Sequence, residues 1–181
     1  GATPAVSGLY GMNLQLSGDP CTPDALEPNN APDTAPSLPL GRTEGLSVCF
    51  GELDYYAIDA ADGQIVEVLA SFDTAEADLG LVLYRLMPDG TLAWQNASTA
   101  TAEGAALAHQ TIGDGPFVLR VARGVRTLNG FYALDLSVEG DACEPDADEP
   151  NNGYLEPKPL SGPTQLEGRT LCMGDSDWYQ I

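Results

Sequence analysis

Two blocks of sequence occur twice in this chain, in the same order and at nearly the same spacing. The first block runs from Gly18 to Asn30 and returns from Gly140 to Asn152. The second block runs from Val48 to Tyr56 and returns from Leu171 to Tyr179. The two copies lie 122 residues apart in the first block (143 − 21) and 123 apart in the second (172 − 49). Self-similarity at a fixed spacing predicts structural units in tandem.

The repeat divides the 181 residues into one whole unit and two partial ones. The stretch from Leu9 to Gly18 aligns with Phe131 to Gly140 at the same spacing, so we expect residues 1–18 to hold the last strand of a preceding module. Residues 19–140 make a complete module, whose length of about 120 residues is near the commonest domain size. Residues 141–181 are the first part of a following module.

Apolar residues between positions 46 and 139 alternate with polar ones in short runs, a pattern typical of β-strands with one buried face. No segment keeps an apolar stripe at helical spacing, and residues that favour tight turns separate the runs. We therefore predict an all-β fold of jelly-roll-like β-sandwich modules in tandem, with residues 19–42 as a lead-in loop on the sandwich. The strand candidates are Val48–Phe50, Tyr55–Ile58, Ile65–Phe72, Leu79–Tyr84, Leu92–Trp94, Ala106–His109, Phe117–Ala122 and Phe131–Val138.

The charge of the chain restricts its partners. Twenty-seven acidic residues stand against seven basic ones, which gives a formal net charge of −20. Nucleic acids and anionic membrane surfaces would be repelled by such a chain, whereas metal cations would be attracted. No apolar run is long enough to cross a bilayer. We expect no nucleic-acid partner and no membrane insertion.

Four cysteines occupy matched places in the two copies, which indicates disulfide bonds. Three pairings are possible, but a repeat unit has to be able to close itself, which favours Cys21 with Cys49 and Cys143 with Cys172. Such bonds persist outside the cytosol. Zinc is a poor alternative because the single His109 and two cysteines per module cannot supply four tetrahedral ligands.

Acidic and amide side chains recur beside these cysteines. Glu27 and Asn29 flank Pro28 in a loop, while Glu52 and Asp54 stand two apart on an extended segment and so leave it on the same face. Oxygen donors of this mixed kind suit a hard cation, and their loose spacing favours calcium over magnesium. The alternative is that Glu27 and Asp54 cap turns and face water. The second copy repeats the set as Glu149, Asn151, Asp175 and Asp177.

The order of these motifs resembles that of the bacterial pre-peptidase C-terminal domain family. The resemblance covers residues 19–140 and both partial flanks. It rests on Glu27-Pro-Asn-Asn30, Gly51-Glu-Leu-Asp54-Tyr-Tyr56, the run Asp78–Tyr84, and the Gly-x-x-x-Leu-Arg-Val and Gly-Phe-Tyr-Ala-Leu segments that begin at Gly115 and Gly130.

This resemblance implies a secreted jelly-roll sandwich of the kind attached to exported proteases and surface proteins, so we expect an extracellular or bacterial cell-surface location. It also implies calcium ligation by Glu27, Asn29 and Asp54, with Glu52 as a further ligand, and by their four counterparts in the second copy. One departure concerns an acid that calcium-binding relatives often carry two residues before the Glu, where this chain has Ala25 and Ala147.

No nucleophile with an activating base, phosphate-binding glycine loop or zinc-protease helix is present, so we do not expect an enzyme. The sequence predicts an extracellular structural or adhesive repeat of a long secreted or surface protein, assembled into a filament. Its expected partners are neighbouring modules or copies of itself, together with an extracellular polymer or a host-surface ligand. The alternative is an accessory substrate-binding or secretion domain of a secreted hydrolase.

Overall fold

The computed structural model describes residues 11–12, 21–113, 115–124, 130–172 and 175–181. The predicted closing strand of a preceding module, within 1–18, lies outside the described residues except for 11–12. The strands of the described part are β1 (Gly41–Val48), β2 (Asp54–Ile58), β3 (Ile65–Ser71), β4 (Leu79–Leu86), β5 (Leu92–Ala97), β6 (Thr99–Ala100), β7 (Gly104–Gln110), β8 (Phe117–Arg123), β9 (Gly130–Glu139), β10 (Lys158–Pro159) and β11 (Tyr179–Gln180).

Strands β1 to β9 form two antiparallel sheets. One has the order β1-β9-β3-β7-β6 and the other the order β2-β8-β4-β5. Apart from the two-residue β6, each sheet has four strands, and the chain passes from one sheet to the other at most connections. This arrangement is a jelly-roll β-sandwich, and the predicted fold class is confirmed.

The core lies between the sheets because their inward positions are apolar. Burial alternates along β4, where Leu79, Leu81 and Leu83 are buried and the residues between them are partly exposed. The facing sheet contributes Val66, Val68 and Ala70 from β3 by the same alternation. A period-2 pattern therefore places one apolar face of each sheet against the other.

The lead-in segment covers one edge of the sandwich. The Tyr55 amide donates to the Asn29 carbonyl at 2.8 Å, and the Ala57 amide donates to the Pro36 carbonyl at 2.8 Å. The Leu38 amide donates in turn to the Ala57 carbonyl at 2.9 Å. The backbone of β2, an edge strand, is thus hydrogen-bonded on its outer side, which protects the sheet from pairing with another chain.

Strands β1 and β6 of the sandwich differ from the sequence prediction, and β10 and β11 match no predicted strand. Strand β1 begins at Gly41, within the predicted loop, and shares only Val48 with the predicted strand Val48–Phe50. Its first half is exposed and polar, and its pairing with β9 shifts register between Thr43 and Leu46. Strand β6 is a short addition at the sheet edge, where Thr99 pairs with Ala106 and Ala100 with Ala105. Neither segment has the apolar alternation by which a strand is recognised in a sequence.

Residues 141–181 form a smaller element that repeats the edge arrangement of the lead-in segment. Strands β10 and β11 pair in parallel. The Trp178 amide donates to the Asn151 carbonyl at 2.9 Å and the Leu160 amide donates to the Gln180 carbonyl at 2.9 Å. These bonds are the counterparts of the Tyr55–Asn29 and Leu38–Ala57 bonds. Within the described residues, no helix is long and apolar enough to span a bilayer.

Candidate functional site

Asp24 joins the lead-in loop to strand β1. One of its carboxylate oxygens accepts from the Leu26 amide at 2.8 Å, and the other accepts from the Ser47 amide at 2.8 Å. The Ser47 hydroxyl donates to the Thr22 carbonyl at 2.9 Å. Both oxygens of Asp24 are thus used to hold the loop, a structural role that the sequence analysis did not identify.

The Glu27-Pro-Asn loop turns the Asn29 side chain inward. The Asn29 amide donates to Glu27 Oε2 at 2.8 Å, while the Asn29 carbonyl accepts from Tyr55 of strand β2. These two bonds fix the backbone on both sides of the side chain. The Asn29 side chain is 0% exposed, so its amide group has to find partners inside the protein.

The second copy has the same hydrogen bonds. Asp146 accepts from the Asp148 and Thr170 amides at 2.8 and 2.9 Å, and the Asn151 amide donates to Glu149 Oε2 at 2.9 Å. Each of these hydrogen bonds joins two residues that the sequence repeat aligns with a hydrogen-bonded pair of the first copy. The two blocks therefore encode one local structure that is made twice. We call each copy a stapled unit, with residues 21–30 and 46–56 in the first and residues 143–152 and 169–179 in the second.

The Asn29 amide group contacts Glu27 in the first stapled unit. It lies 3.1 and 3.2 Å from the two carboxylate oxygens of Glu27. With its nitrogen on that side, the group donates to Glu27 and its oxygen accepts from the Tyr56 hydroxyl at 3.3 Å. With its oxygen on that side, three acceptors would converge, and a cation would have to lie among them.

Asp54 lies at the buried end of a hydrogen-bonded chain. The Tyr132 hydroxyl donates to Asp54 Oδ2, and the Tyr56 and Tyr132 hydroxyls lie 2.7 Å apart. Burial raises the pKa of Asp54 to about 7, against the lowering effect of the Tyr132 hydrogen bond. The charge of Glu27 also raises this pKa. Burial likewise raises the pKa of both tyrosines, so they remain neutral donors.

Three carboxylates gather in the second stapled unit. Oxygens of Glu149, Asp175 and Asp177 all lie within 4.8 Å of one another. The hydrogen bond from the Asn151 amide lowers the pKa of Glu149. Burial and the negative charges of Asp175 and Asp177 act in the opposite direction, and together they raise this pKa above its ordinary value. Like charges at this distance destabilise the unit unless a cation or protons offset them.

Buried polar atoms without a hydrogen-bond partner mark both units. In the first unit the atom is Asp54 Oδ1, and in the second they are Glu149 Oε1, Asp177 Oδ1 and the two side-chain polar atoms of Asn151. Asn151, like Asn29, is 0% exposed. Such atoms are rare in folded proteins and need a partner, and a cation would supply one for the oxygens.

The residues present fit a calcium ion. Oxygens that ligate one calcium at 2.3 to 2.6 Å can be at most about 5 Å apart, which the carboxylates of the second unit satisfy. In the first unit the side chains of Glu27 and Asn29 are in contact, and the charge of Glu27 acts on the buried Asp54 by raising its pKa. Among the described residues, Glu27, Glu52 and Asp54 do not form a three-carboxylate group at that spacing, whereas their counterparts do.

The remaining acids near the units serve other purposes. Asp148 pairs with Lys158 at 3.2 Å and with Arg169 at 2.6 Å, so its charge is already offset. Asp24 and Asp146 use both oxygens on backbone amides. These three acids thus have structural partners of their own, and none of them stands at the place of the acid that the chain lacks at Ala25 and Ala147.

Disulfide bonds close both stapled units. Cys21 is bonded to Cys49 and Cys143 to Cys172, as the sequence analysis predicts, and no free cysteine is found among the described residues. Each bond joins the loop that carries the Glu-Pro-Asn motif to the segment that carries the acid-x-Asp motif. Such bonds are typical of proteins outside the cytosol. Asp62 lies near both sulfurs of the second disulfide, but disulfide sulfurs are not thiolate ligands.

No family model matches the sequence, and no curated protein matches it. Several solved structures are similar to it, among them the following two. A pre-peptidase C-terminal domain of a collagenase from Bacillus anthracis has 18% sequence identity and a TM-score of 0.47, over 60% of this chain and 100% of that one. PliG from Aeromonas hydrophila, a periplasmic inhibitor of g-type lysozyme, has 11% identity and a TM-score of 0.46, over 58% of this chain and 95% of that one. The fold assignment rests on the strand pairing described above.

Proposed function

We propose that this chain is part of an extracellular structural or adhesive repeat protein in which each module carries a disulfide-stapled calcium site. One observation carries the proposal. The same set of backbone and carboxylate hydrogen bonds occurs at both copies of the repeated blocks, and each unit contains at least one buried carboxylate oxygen that lacks a partner. A site that is built twice at matched positions is a property of the module itself.

Calcium would be held by the loop and by the strand that follows it. In the first unit the proposed ligands are Glu27, Asn29 and Asp54, with Glu52 as a further ligand. In the second unit they are Glu149, Asn151, Asp175 and Asp177. Such an ion would offset the repulsion among the carboxylates and fix the loop against the strand. Its proposed role is therefore stiffening of the module, with no chemical step.

The tandem arrangement supports a structural role. The sequence resemblance to the pre-peptidase C-terminal domain family and the second stapled unit both suggest that further modules of the same kind lie beyond this segment. Disulfides and a protected sheet edge suit a protein that has to last outside the cell. The proposed partners are neighbouring modules or other copies, assembled into a filament at the bacterial cell surface.

Exposed aromatic side chains support an adhesive contribution. Trp94 is 63% exposed on the edge strand β5 and pairs across the strands with Tyr84, over whose ring the Arg120 guanidinium lies at 5.4 Å. Aromatic rings and arginine are the side chains that most often anchor a binding partner. The proposed target is an extracellular polymer or a host-surface ligand.

Unfolding with and without chelator tests the calcium proposal. At a calcium concentration a hundred times the dissociation constant, binding to the folded state alone should add about 2.7 kcal/mol to the free energy of unfolding. Magnesium should add less, because it demands a tighter octahedron of oxygens. The measurement is denaturant unfolding of the 181-residue chain in calcium, in magnesium and in chelator.

Paired substitutions separate a bound ion from a general salt effect. Glu27→Gln removes a proposed ligand charge, whereas Glu103→Gln removes a charge from an exposed turn between β6 and β7. We expect the first substitution to reduce the calcium-dependent gain and the second to leave it intact. An equal gain in both variants, or no gain in the unsubstituted chain, would refute the proposal.

A further inference from the structure

Hydrogen bonds to Thr111, the residue that follows β7, fix the turn between β2 and β3. We call residues 61–64 the socket turn. The Gly63 amide donates to the Thr111 carbonyl at 3.2 Å, and the Thr111 amide donates to the Gln64 carbonyl at 2.8 Å. The Thr111 hydroxyl, in a side chain that is 0% exposed, lies 2.6 Å from the Ala61 carbonyl. The backbone of the turn is thereby fixed from within the sandwich.

The second stapled unit sits on this turn. The Cys143 amide donates to the Asp62 carbonyl at 2.8 Å, and Gln64 Nε2 donates to the Gly140 carbonyl at 3.0 Å. A Cβ atom at Gly63 would lie 3.3 Å from the Cys143 Cβ, which is tighter than most contacts of real Cβ atoms. Any other residue at position 63 would therefore be strained at φ +82° and would press on the Cys143 side chain.

The Asp62 side chain strengthens the same contact. One of its carboxylate oxygens accepts from the Gly113 amide at 2.5 Å, which ties the socket turn to the segment after β7. The carboxylate also lies within 4.8 Å of the sulfurs of Cys143 and Cys172. Contacts from backbone and side chain thus surround the second disulfide on the side of the sandwich.

We propose that the socket turn is a docking surface for the disulfide of the following module, and that it fixes residues 141–181 and the sandwich in one rigid body. The inference deepens the proposed tandem function and rests on it. The occupant is the next stapled unit of the same chain, which the structure shows seated. The contact consists of two hydrogen bonds to backbone carbonyls and the close approach of Cys143 to Gly63. A contact this small suits a neighbour tethered by the chain, because the tether gives that neighbour a high effective concentration.

We call this contact between the socket turn and the second stapled unit the joint. It also sets where the proposed second calcium site lies. Glu149 and Asp175 line a cleft whose opposite wall contains Arg85 and Ile112 of the sandwich. A fixed joint would keep the acidic site against that wall, whereas a flexible one would leave it on a swinging segment.

Substitution of two glycines tests the joint. Gly63 and Gly90 both have left-handed backbone angles, with φ of +82° and +81°, but a Cβ at Gly90 meets nothing within 4 Å. Asparagine tolerates such angles better than other side chains, so Gly63→Asn and Gly90→Asn share the backbone cost and differ in the collision with Cys143. The readout is 15N relaxation of the full chain.

The expected result is one common rotational correlation time for the strands and for residues 143–181 in the unsubstituted chain and in Gly90→Asn. Gly63→Asn should lose it, with a shorter time for residues 143–181 while the sandwich keeps its dispersed spectrum. Separate tumbling in the unsubstituted chain would overturn the proposal, as would common tumbling retained in Gly63→Asn.

Hydrogen exchange of the unsubstituted chain provides a second test of docking. The Cys143 amide should exchange slowly, because it donates to Asp62 in the docked state. Exchange at the rate of an unprotected amide would contradict docking even if Gly63→Asn failed to fold. Failure of the joint remains distinguishable from failure of the proposed function, since calcium binding is measured by stability and docking by tumbling and exchange.

Discussion

At the scale of single residues, the stapled units depend on side chains whose roles differ from their appearance in the sequence. Asp24 and Asn29 both occur in an acidic loop, but Asp24 accepts from backbone amides while Asn29 buries its side-chain amide against Glu27. Tyr132 looks like an ordinary core residue of β9, yet it donates to Asp54 from 78 positions away in the sequence. No short motif could reveal that contact.

The pKa of Asp54 predicts how stability depends on pH in the absence of calcium. Its pKa in the fold is about 7, above the value of about 3.9 in an unfolded chain, so the folded state holds the proton more tightly. This contribution to stability is complete below pH 4 and is lost as the pH rises towards 7. The measurement is denaturant unfolding in chelator across that range.

Asp54→Asn provides the comparison for the pH profile. Asparagine resembles the protonated carboxyl in shape and does not titrate, so the variant should show a smaller loss of stability between pH 4 and pH 7 than the unsubstituted chain. Equal slopes for the two proteins would contradict the assignment of this pH dependence to Asp54.

At the scale of elements, the repeated blocks bring a loop and a strand together through the disulfide. Cys21 precedes the Glu-Pro-Asn loop and Cys49 precedes the strand with Asp54, so one bond limits the separation of both sets of oxygens. This pairing and most strands could be predicted, because the signals are local alternation and matched spacing. The beginning of β1 could not, since Gly41, Arg42 and Thr43 pair with residues of β9 that lie 91 to 95 positions away (134 − 43 to 136 − 41).

Removal of one disulfide tests the staple. The double substitution of Cys21 and Cys49 by serine opens a loop with a sequence separation of 28, which should lower the free energy of unfolding of the sandwich by about 3 to 4 kcal/mol in the chain-entropy model. Denaturant unfolding measures the change. The same substitutions at Cys143 and Cys172 should leave the sandwich close to its original stability, since that bond lies outside it.

An equal loss of stability in the two disulfide variants would show that the staple at Cys21 has no special part in the sandwich. The absence of any loss in the Cys21 and Cys49 variant would show that the loop is held by Asp24 and the edge bonds alone.

At the scale of the whole molecule, the sandwich places one stapled unit at its lead-in loop and receives the next at the socket turn. Alternation in the sequence predicted the sandwich, and the repeat predicted where the acidic sites lie along the chain. The contact between Asp62 and Cys143 could not be predicted, because Ala61-Asp-Gly63 looks like any turn and nothing in its pattern indicates what rests on it.

The number of calcium ions bound per chain tests the central claim most directly. Native mass spectrometry of the 181-residue chain in calcium should show two ions, one for the proposed site in each stapled unit. Asp54→Asn should reduce the number to one and Asp177→Asn should do the same, while both together should leave none. A chain that binds no calcium, or one whose two ions survive the paired substitutions, would contradict a calcium site made twice.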